Sequence, residues 1–266
     1  MILVNGTISD TVSALDRGLM YGDGVFRTLR IHDGLPFQWE PHYQKLSKDC
    51  ERLAISCPDE ATLTAELQQI GTVEADCVAK IVVTRGPSLR GYAVAAGPVT
   101  RVVMSSPLPS YPKGFQDEGV RVRLCNMHLA DQPRLAGIKH LNRLENVLAR
   151  MEWNDPDIPE GLMLDGHGRV IEGVMTNLFA RIGDVLYTPS LDRCGVAGVQ
   201  RDRIMELAAQ WNLTLNISDI TLDTLKQSDE VILCNSIIGA WQVREVEGHI
   251  WHQGSLANKV RAATLP

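Results

Sequence analysis

Two residues in this chain have the types and the spacing to do covalent chemistry. Lys139 lies in Leu135-Ala136-Gly137-Ile138-Lys139-His140-Leu141-Asn142-Arg143-Leu144-Glu145, and Glu172 follows thirty-three positions later in Val170-Ile171-Glu172-Gly173-Val174-Met175-Thr176-Asn177-Leu178-Phe179. A lysine amine among apolar neighbours can attack a carbonyl when burial keeps it unprotonated. An acid opening a turn between two strands can hold a ring nitrogen protonated, so that the ring draws electrons from the reacting centre. Each residue also has a plainer reading. A lysine stem often lies along the core with its amine in water, and an acid at a strand end is usually solvated. The joint pattern favours chemistry. Lys139 is expected to open a helical segment, Asp165-Gly166-His167-Gly168 supplies a tight turn, and residues 170–179 read as strand, turn, strand. The turn amides at Val174 and Met175 are expected to stand exposed, as a backbone nest for a phosphate.

The surrounding elements follow from periodicity. Residues 24–31 alternate as a strand, and Asp33-Gly34 is a hairpin turn. Leu46, Cys50, Leu53 and Ala54 mark one face of a helix over 40–54, and Leu63, Leu67 and Ile70 mark a second. Strands are expected at 78–84 and 101–105, which makes residues 1–106 a small α+β domain. Pro107, Pro109 and Pro112 disfavour both helix and central strand, so residues 107–114 read as a linker. Residues 115–266 then form a larger domain that carries the lysine. Its strands are expected at 120–125, 161–164, 177–182, 184–188 and 230–234, and its helices at 141–153 and 198–211.

The 266-residue chain is long enough for two such domains, and its 44% hydrophobic and 22% charged residues are ordinary for a globular enzyme. A formal net charge of −6 argues against a nucleic-acid footprint. No apolar run approaches the roughly 18–20 residues that cross a bilayer, and the first residues lack the features of a signal peptide. Six scattered cysteines, none in a CxxC pair, read as reduced thiols in a cytoplasmic protein. The seven histidines show no metal-ligand spacing, so no metal is expected.

These pieces together resemble the fold-type-IV pyridoxal phosphate (PLP) enzymes, the group of branched-chain aminotransferases, D-amino acid aminotransferases and aminodeoxychorismate lyases. The resemblance runs from Asp16-Arg17-Gly18 and Tyr21-Gly22-Asp23-Gly24-Val25-Phe26, through His42-x-x-Lys45-Leu46, to Thr188-Pro189 and Gly195-Val196-Ala197-Gly198. It implies a mixed α+β and α/β two-domain architecture with the active site between the domains, and a homodimer. It also implies Lys139 as the Schiff-base residue, Glu172 as the partner of the pyridine nitrogen, Val174 and Met175 as phosphate contacts, and Asn235-Ser236 as a second phosphate loop. Lys45 stands where the family usually has a phosphate-binding arginine. It keeps the charge but not the planar fork.

Arg143 stands where many aminotransferases of this fold have tyrosine near the cofactor's phenolic oxygen. The run from Lys139 to Glu145 and Thr84-Arg85-Gly86-x-x-x-Arg90-Gly91-Tyr92 are similar to the aminodeoxychorismate lyases. That likeness implies conversion of 4-amino-4-deoxychorismate to 4-aminobenzoate and pyruvate, a step of folate biosynthesis. Arg90, Tyr92 and Arg27 are candidates for the substrate's carboxylates. Two alternatives stay open: an aminotransferase for branched-chain or D-amino acids, and a PLP-binding protein without catalysis.

Overall fold

The computed structural model describes residues 1–94 and 97–266. Its contacts divide the chain into two compact units. One comprises Met1–Pro109, Lys139–Asn142 and Pro266; the other comprises Ser110–Ile138 and Arg143–Leu265. A linear division at residues 107–114 has no place for the excursion at 139–142.

The first unit is built on a six-stranded antiparallel sheet. Its order is Thr7–Ile8, Ile2–Val4, Thr100–Ser106, Cys77–Thr84, Gly24–His32, Leu35–Pro36. Strand Gly24–His32 alternates as its sequence requires, with Val25, Arg27, Leu29 and Ile31 buried and the residues between them partly exposed. The hairpin after it has Asp33 at φ 49° and Gly34 at φ 77°, the paired positive values of a two-residue hairpin turn. Helix Trp39–Arg52 packs on this strand through His42, Leu46, Asp49 and Cys50, one face at i, i+4, i+7, i+8. Helix Glu60–Val73 starts at Asp59, whose carboxylate accepts the Thr62 N–H at 2.8 Å. It buries Leu63, Leu67 and Ile70 completely. Each such side chain stabilises the fold by roughly 1.5–3 kcal/mol relative to exposure.

Residues 139–142 join this unit as an added piece of strand. The Phe26 N–H donates to the Lys139 carbonyl at 2.9 Å, the Leu141 N–H donates to the Gly24 carbonyl at 3.0 Å, and Val25 and His140 form the bridge. Lys139 therefore does not open a helix. Its main chain is engaged in strand pairing, and the helix expected over 141–153 is confined to Leu144–Arg150.

The second unit is built on a mixed nine-stranded sheet. Eight strands run in the order Thr214–Ser218, Val185–Pro189, Asn177–Ile182, Glu230–Asn235, Gly239–Val246, Val120–Leu129, Glu160–Asp165, Val170–Gly173. The ninth, His249–Ile250, pairs with Gly239–Val246. Residues 230–234 are all buried, as expected of a strand covered on both faces. Leu178, Val231, Leu233, Trp241 and Val243 belong to one apolar cluster. Phe179, Ile204, Ile232, Ala257 and Val260 form another with helices Val199–Ala208 and Leu256–Thr264. Among the described residues, no helix is long and apolar enough to cross a membrane.

Candidate functional site

In the first unit, Lys139 is held at three points. Its N–H donates to Asp49 Oδ2 at 3.0 Å, its carbonyl is taken by Phe26, and its Nζ stands 4.6 Å from the centre of the Phe26 ring. The amine of Lys80 lies 5.0 Å from the same ring. Such placements favour a cation over the π face. Asp49 also forms a buried ion pair with Arg27, whose Nη2 donates to the Lys45 carbonyl at 3.4 Å. Arg27 is 2% exposed and points to the helix side of its strand. Its Nη2 is turned to Asp49, on the side of the strand that the helix covers. Lys45 is half-buried on helix Trp39–Arg52. His42, on the same helix, is buried, and its pKa is pushed down to about 3. Burial is the main cause, followed by the positive charges of Arg27 and Lys139.

The loop carrying Arg90 and Tyr92 belongs to the same unit. Arg17 and Arg85 donate to Asp23 Oδ2 at 2.7 and 2.8 Å. Burial raises the Asp23 pKa, but these two arginines outweigh it and hold the carboxyl below its usual range. Arg17 Nη1 then donates to the Gly91 carbonyl at 3.0 Å, and the Tyr21 hydroxyl accepts the Gly91 N–H at 3.2 Å. The rings of Tyr21 and Tyr92 lie 5.5 Å apart. The Asp16-to-Asp23 motif thus anchors this loop, while Arg90 is exposed and Tyr92 is 85% exposed.

In the second unit, Glu172 ends up 3% exposed on strand Val170–Gly173, and its Oε2 accepts the Val196 N–H at 2.8 Å. The segment 195–198 wraps this carboxylate. Gly195 has φ +83°, and a Cβ there would meet Leu191 Cδ2 at 2.7 Å and Ile171 Cγ2 at 2.8 Å. Asn177 fixes the far end, its Nδ2 donating to the Val196 carbonyl at 2.7 Å and its Oδ1 accepting the Gly198 N–H at 3.2 Å. Gly198 opens helix Val199–Ala208, and no side chain caps it. A helix start of this kind offers N–H groups and a positive dipole end to an anion. The sequence reading did not single it out as a phosphate site. The signal was present in Gly195-x-x-Gly198 ahead of a helical run. Behind it lies buried Arg201, which donates to Thr188 Oγ1 at 3.2 Å and to the Pro189 carbonyl at 3.1 Å. Burial lowers its pKa, against the pull of Asp202, Cys234 and Glu172.

The turn at Val174 and Met175 differs from expectation. Their N–H groups donate to Glu160 Oε1 and Oε2, each at 3.0 Å, and Thr176 Oγ1 donates to Oε2 at 3.0 Å. The buried carboxylate of Glu160 accepts from both of these amides. Burial pushes the Glu160 pKa up to about 7, against the donors of Gly161, Met175, Thr176 and Val174. The side chain of Asn235 is likewise engaged within the protein. Its Nδ2 donates to the Met175 carbonyl at 3.1 Å, and its Oδ1 accepts the N–H groups of Ile237 and Ile238 at 2.8 and 2.9 Å. Ser236 stays partly exposed beside it. Arg143 Nη2 donates to the Ile138 carbonyl at 2.9 Å.

The sequence profile of the class IV amino-transferases matches residues 24–246. The chain belongs to the class IV amino-transferase family. Among members of the class IV family, the aminodeoxychorismate lyase of Vibrio harveyi is 34% identical over 241 residues, 90% of this chain and 89% of that protein. A solved 4-amino-4-deoxychorismate lyase from Pseudomonas aeruginosa is 46% identical with a TM-score of 0.94, covering 98% of this chain and 97% of that one. The branched-chain amino acid aminotransferase of Escherichia coli superposes with a TM-score of 0.84 at 21% identity, covering 98% and 92%. It shares the fold. The mixed α and β two-unit architecture is that of the fold-type-IV enzymes within this class IV family.

Proposed function

We propose that this chain is a PLP-dependent aminodeoxychorismate lyase that converts 4-amino-4-deoxychorismate to 4-aminobenzoate and pyruvate. The observation that carries this reading is the 46% identity to the Pseudomonas aeruginosa lyase across nearly the whole of both chains, against 21% to the aminotransferase of the same fold.

The residues present fit the cofactor. The first unit offers an amine above an aromatic ring at Lys139 and Phe26. The second offers a buried carboxylate at Glu172, wrapped by segment 195–198, where neither Gly195 nor Gly198 has room for a Cβ, and followed by an uncapped helix start. PLP, when bound, supplies an electron sink conjugated to the substrate's nitrogen. Lys139 Nζ is the group that would join it covalently. Nζ would also be the base that takes the proton from the substrate's ring carbon bearing the nitrogen. Glu172 would hold a proton at the pyridine nitrogen. The C–O bond to the enolpyruvyl group breaks as the ring becomes aromatic. The abstracted proton is returned to the departing three-carbon unit, so the products together contain every atom of the substrate. Lys45, the first turn of helix Val199–Ala208 and Ser236 are the proposed phosphate contacts. Arg143, Arg90 and Tyr92 are the proposed cofactor and substrate contacts.

The proposed assembly is a homodimer. Leu144, Val147, Leu148 and Met151 leave an apolar stripe exposed at i, i+3, i+4, i+7, which supports association with a second copy. A cytoplasmic setting agrees with the six free thiols. The experiment that separates the lyase from an aminotransferase offers the holoenzyme D-alanine or leucine with 2-oxoglutarate. A lyase makes little glutamate, whereas rapid glutamate formation contradicts the proposal.

A further inference from the structure

We propose that the buried Arg27–Asp49 pair is a positioning unit for Lys139, holding the main chain of residue 139 and thereby fixing where its amine stands. The inference rests on the reading of Lys139 as the residue that joins the cofactor.

One carboxylate oxygen, Asp49 Oδ2, receives both the Arg27 Nη2 and the Lys139 N–H. The carbonyl of Lys139 is held independently by the Phe26 N–H. Both main-chain polar groups of Lys139 are therefore tied, one to helix Trp39–Arg52 and one to strand Gly24–His32. Arg27 and Phe26 are neighbours on that strand and point to opposite faces. The strand thus supplies the buried cation on the helix side and the ring under the amine on the other. Arg27 also donates to the Lys45 carbonyl, so the same pair braces the helix turn that carries Lys45.

Stability alone is a poor account of this pair. Arg27 is 2% and Asp49 4% exposed, and removing two charges from water costs about as much as their attraction returns. Two well-packed apolar side chains would fill the space as well. They would not accept the Lys139 N–H. His42 faces the same cluster from the helix, and burial with the charges of Arg27 and Lys139 holds its pKa down to about 3, so it adds no second cation beside Arg27.

The test compares two double variants, Arg27→Met with Asp49→Leu and Arg27→Met with Asp49→Asn. Both lack the charges, and only the second keeps a side-chain acceptor for the Lys139 N–H. The probe is pyridoxal phosphate, and the readout is the rate of covalent capture, measured by absorbance and by the mass of the borohydride-trapped peptide. The Leu variant should melt within about 5 °C of the wild type yet capture the probe at least about tenfold more slowly, and the Asn variant should recover most of the rate. A Leu variant that captures at the wild-type rate overturns the inference while leaving the role of Lys139 intact. A wild-type trapped peptide that lacks Lys139 overturns both. Hydrogen exchange on the wild-type protein adds a check that needs no variant. The Lys139 amide should be among the slowest to exchange, and rapid exchange there contradicts the proposal.

Discussion

Lys139 and Phe26 meet twice: the Phe26 N–H donates to the Lys139 carbonyl at 2.9 Å, and the Lys139 amine stands 4.6 Å from the centre of the Phe26 ring. The same strand residue therefore fixes both the main chain and the reactive end of the side chain. The π face of the ring favours a charged ammonium at this place, so the proposed role of Lys139 as a nucleophile requires the amine to give up its proton there.

Replacing Lys139 by Ala should remove turnover and covalent PLP capture together. The expected loss in kcat is at least about a thousandfold, because the variant lacks both the proposed point of attachment and the proposed base. Steady-state kinetics and the visible absorbance of the loaded protein check it. Retained absorbance with a trapped peptide elsewhere in the chain would move the site away from Lys139.

Glu172→Gln keeps an oxygen that can accept the Val196 N–H, so segment 195–198 should keep its course. It loses the charge proposed to hold a proton on the ring nitrogen. PLP should still bind, and the proton-transfer step should slow by about 10² to 10⁴. A primary isotope effect at the abstracted proton should grow in this variant. Near-normal turnover would be incompatible with the assigned role.

Glu160 clamps the turn that follows Glu172. Glu160→Ala strips the acceptor from the N–H groups of Gly161 and Met175 and from the Thr176 hydroxyl, and leaves the Val174 N–H only its bond to the Gly161 carbonyl. Each buried donor left without a partner costs about 1–3 kcal/mol, so a loss of several kcal/mol is expected after partial rehydration. Urea unfolding measures it. A change below about 1 kcal/mol would mean that the clamp is structurally idle.

His42 makes stability sensitive to acid. Its folded pKa is pushed down to about 3 from 6.5, mainly by burial. Between those values the unfolded chain binds a proton that the folded chain refuses. The contribution is therefore fully present above pH 6.5 and is lost as pH falls. The expected fall is about 2 kcal/mol between pH 6.5 and 5 from this residue. Unfolding curves of wild type and His42→Gln across that range should diverge in slope, the variant being the flatter. Parallel slopes would show that His42 titrates normally.

Much of the fold is legible in the sequence where local pattern and final environment agree. Strand Asn177–Ile182 lies where its apolar run ends in a turn at each side, and helix Trp39–Arg52 follows its stripe of Leu46 and Cys50. Lys139 shows the opposite case. Its surroundings carry a helical spacing, but pairing with residues 24–26, more than a hundred positions away, makes the segment extended. Glu172 is recognisable because its turn is local. The occupants of the amides at Val174 and Met175 are not, because Glu160 arrives from a neighbouring strand. The pairing of Arg27 with Asp49 is hidden for the same reason, since only the packed helix brings the two together. Edge strand Thr214–Ser218 and helix Leu256–Thr264 are too polar or too short to stand out.

The most direct measurement gives the PLP-loaded protein 4-amino-4-deoxychorismate with no added keto acid and follows both products in one reaction. The account expects pyruvate and 4-aminobenzoate in equal amounts over many turnovers, with no glutamate on addition of 2-oxoglutarate. Consumption that depends on a keto acid, or an unchanged substrate in the presence of bound cofactor, would contradict it.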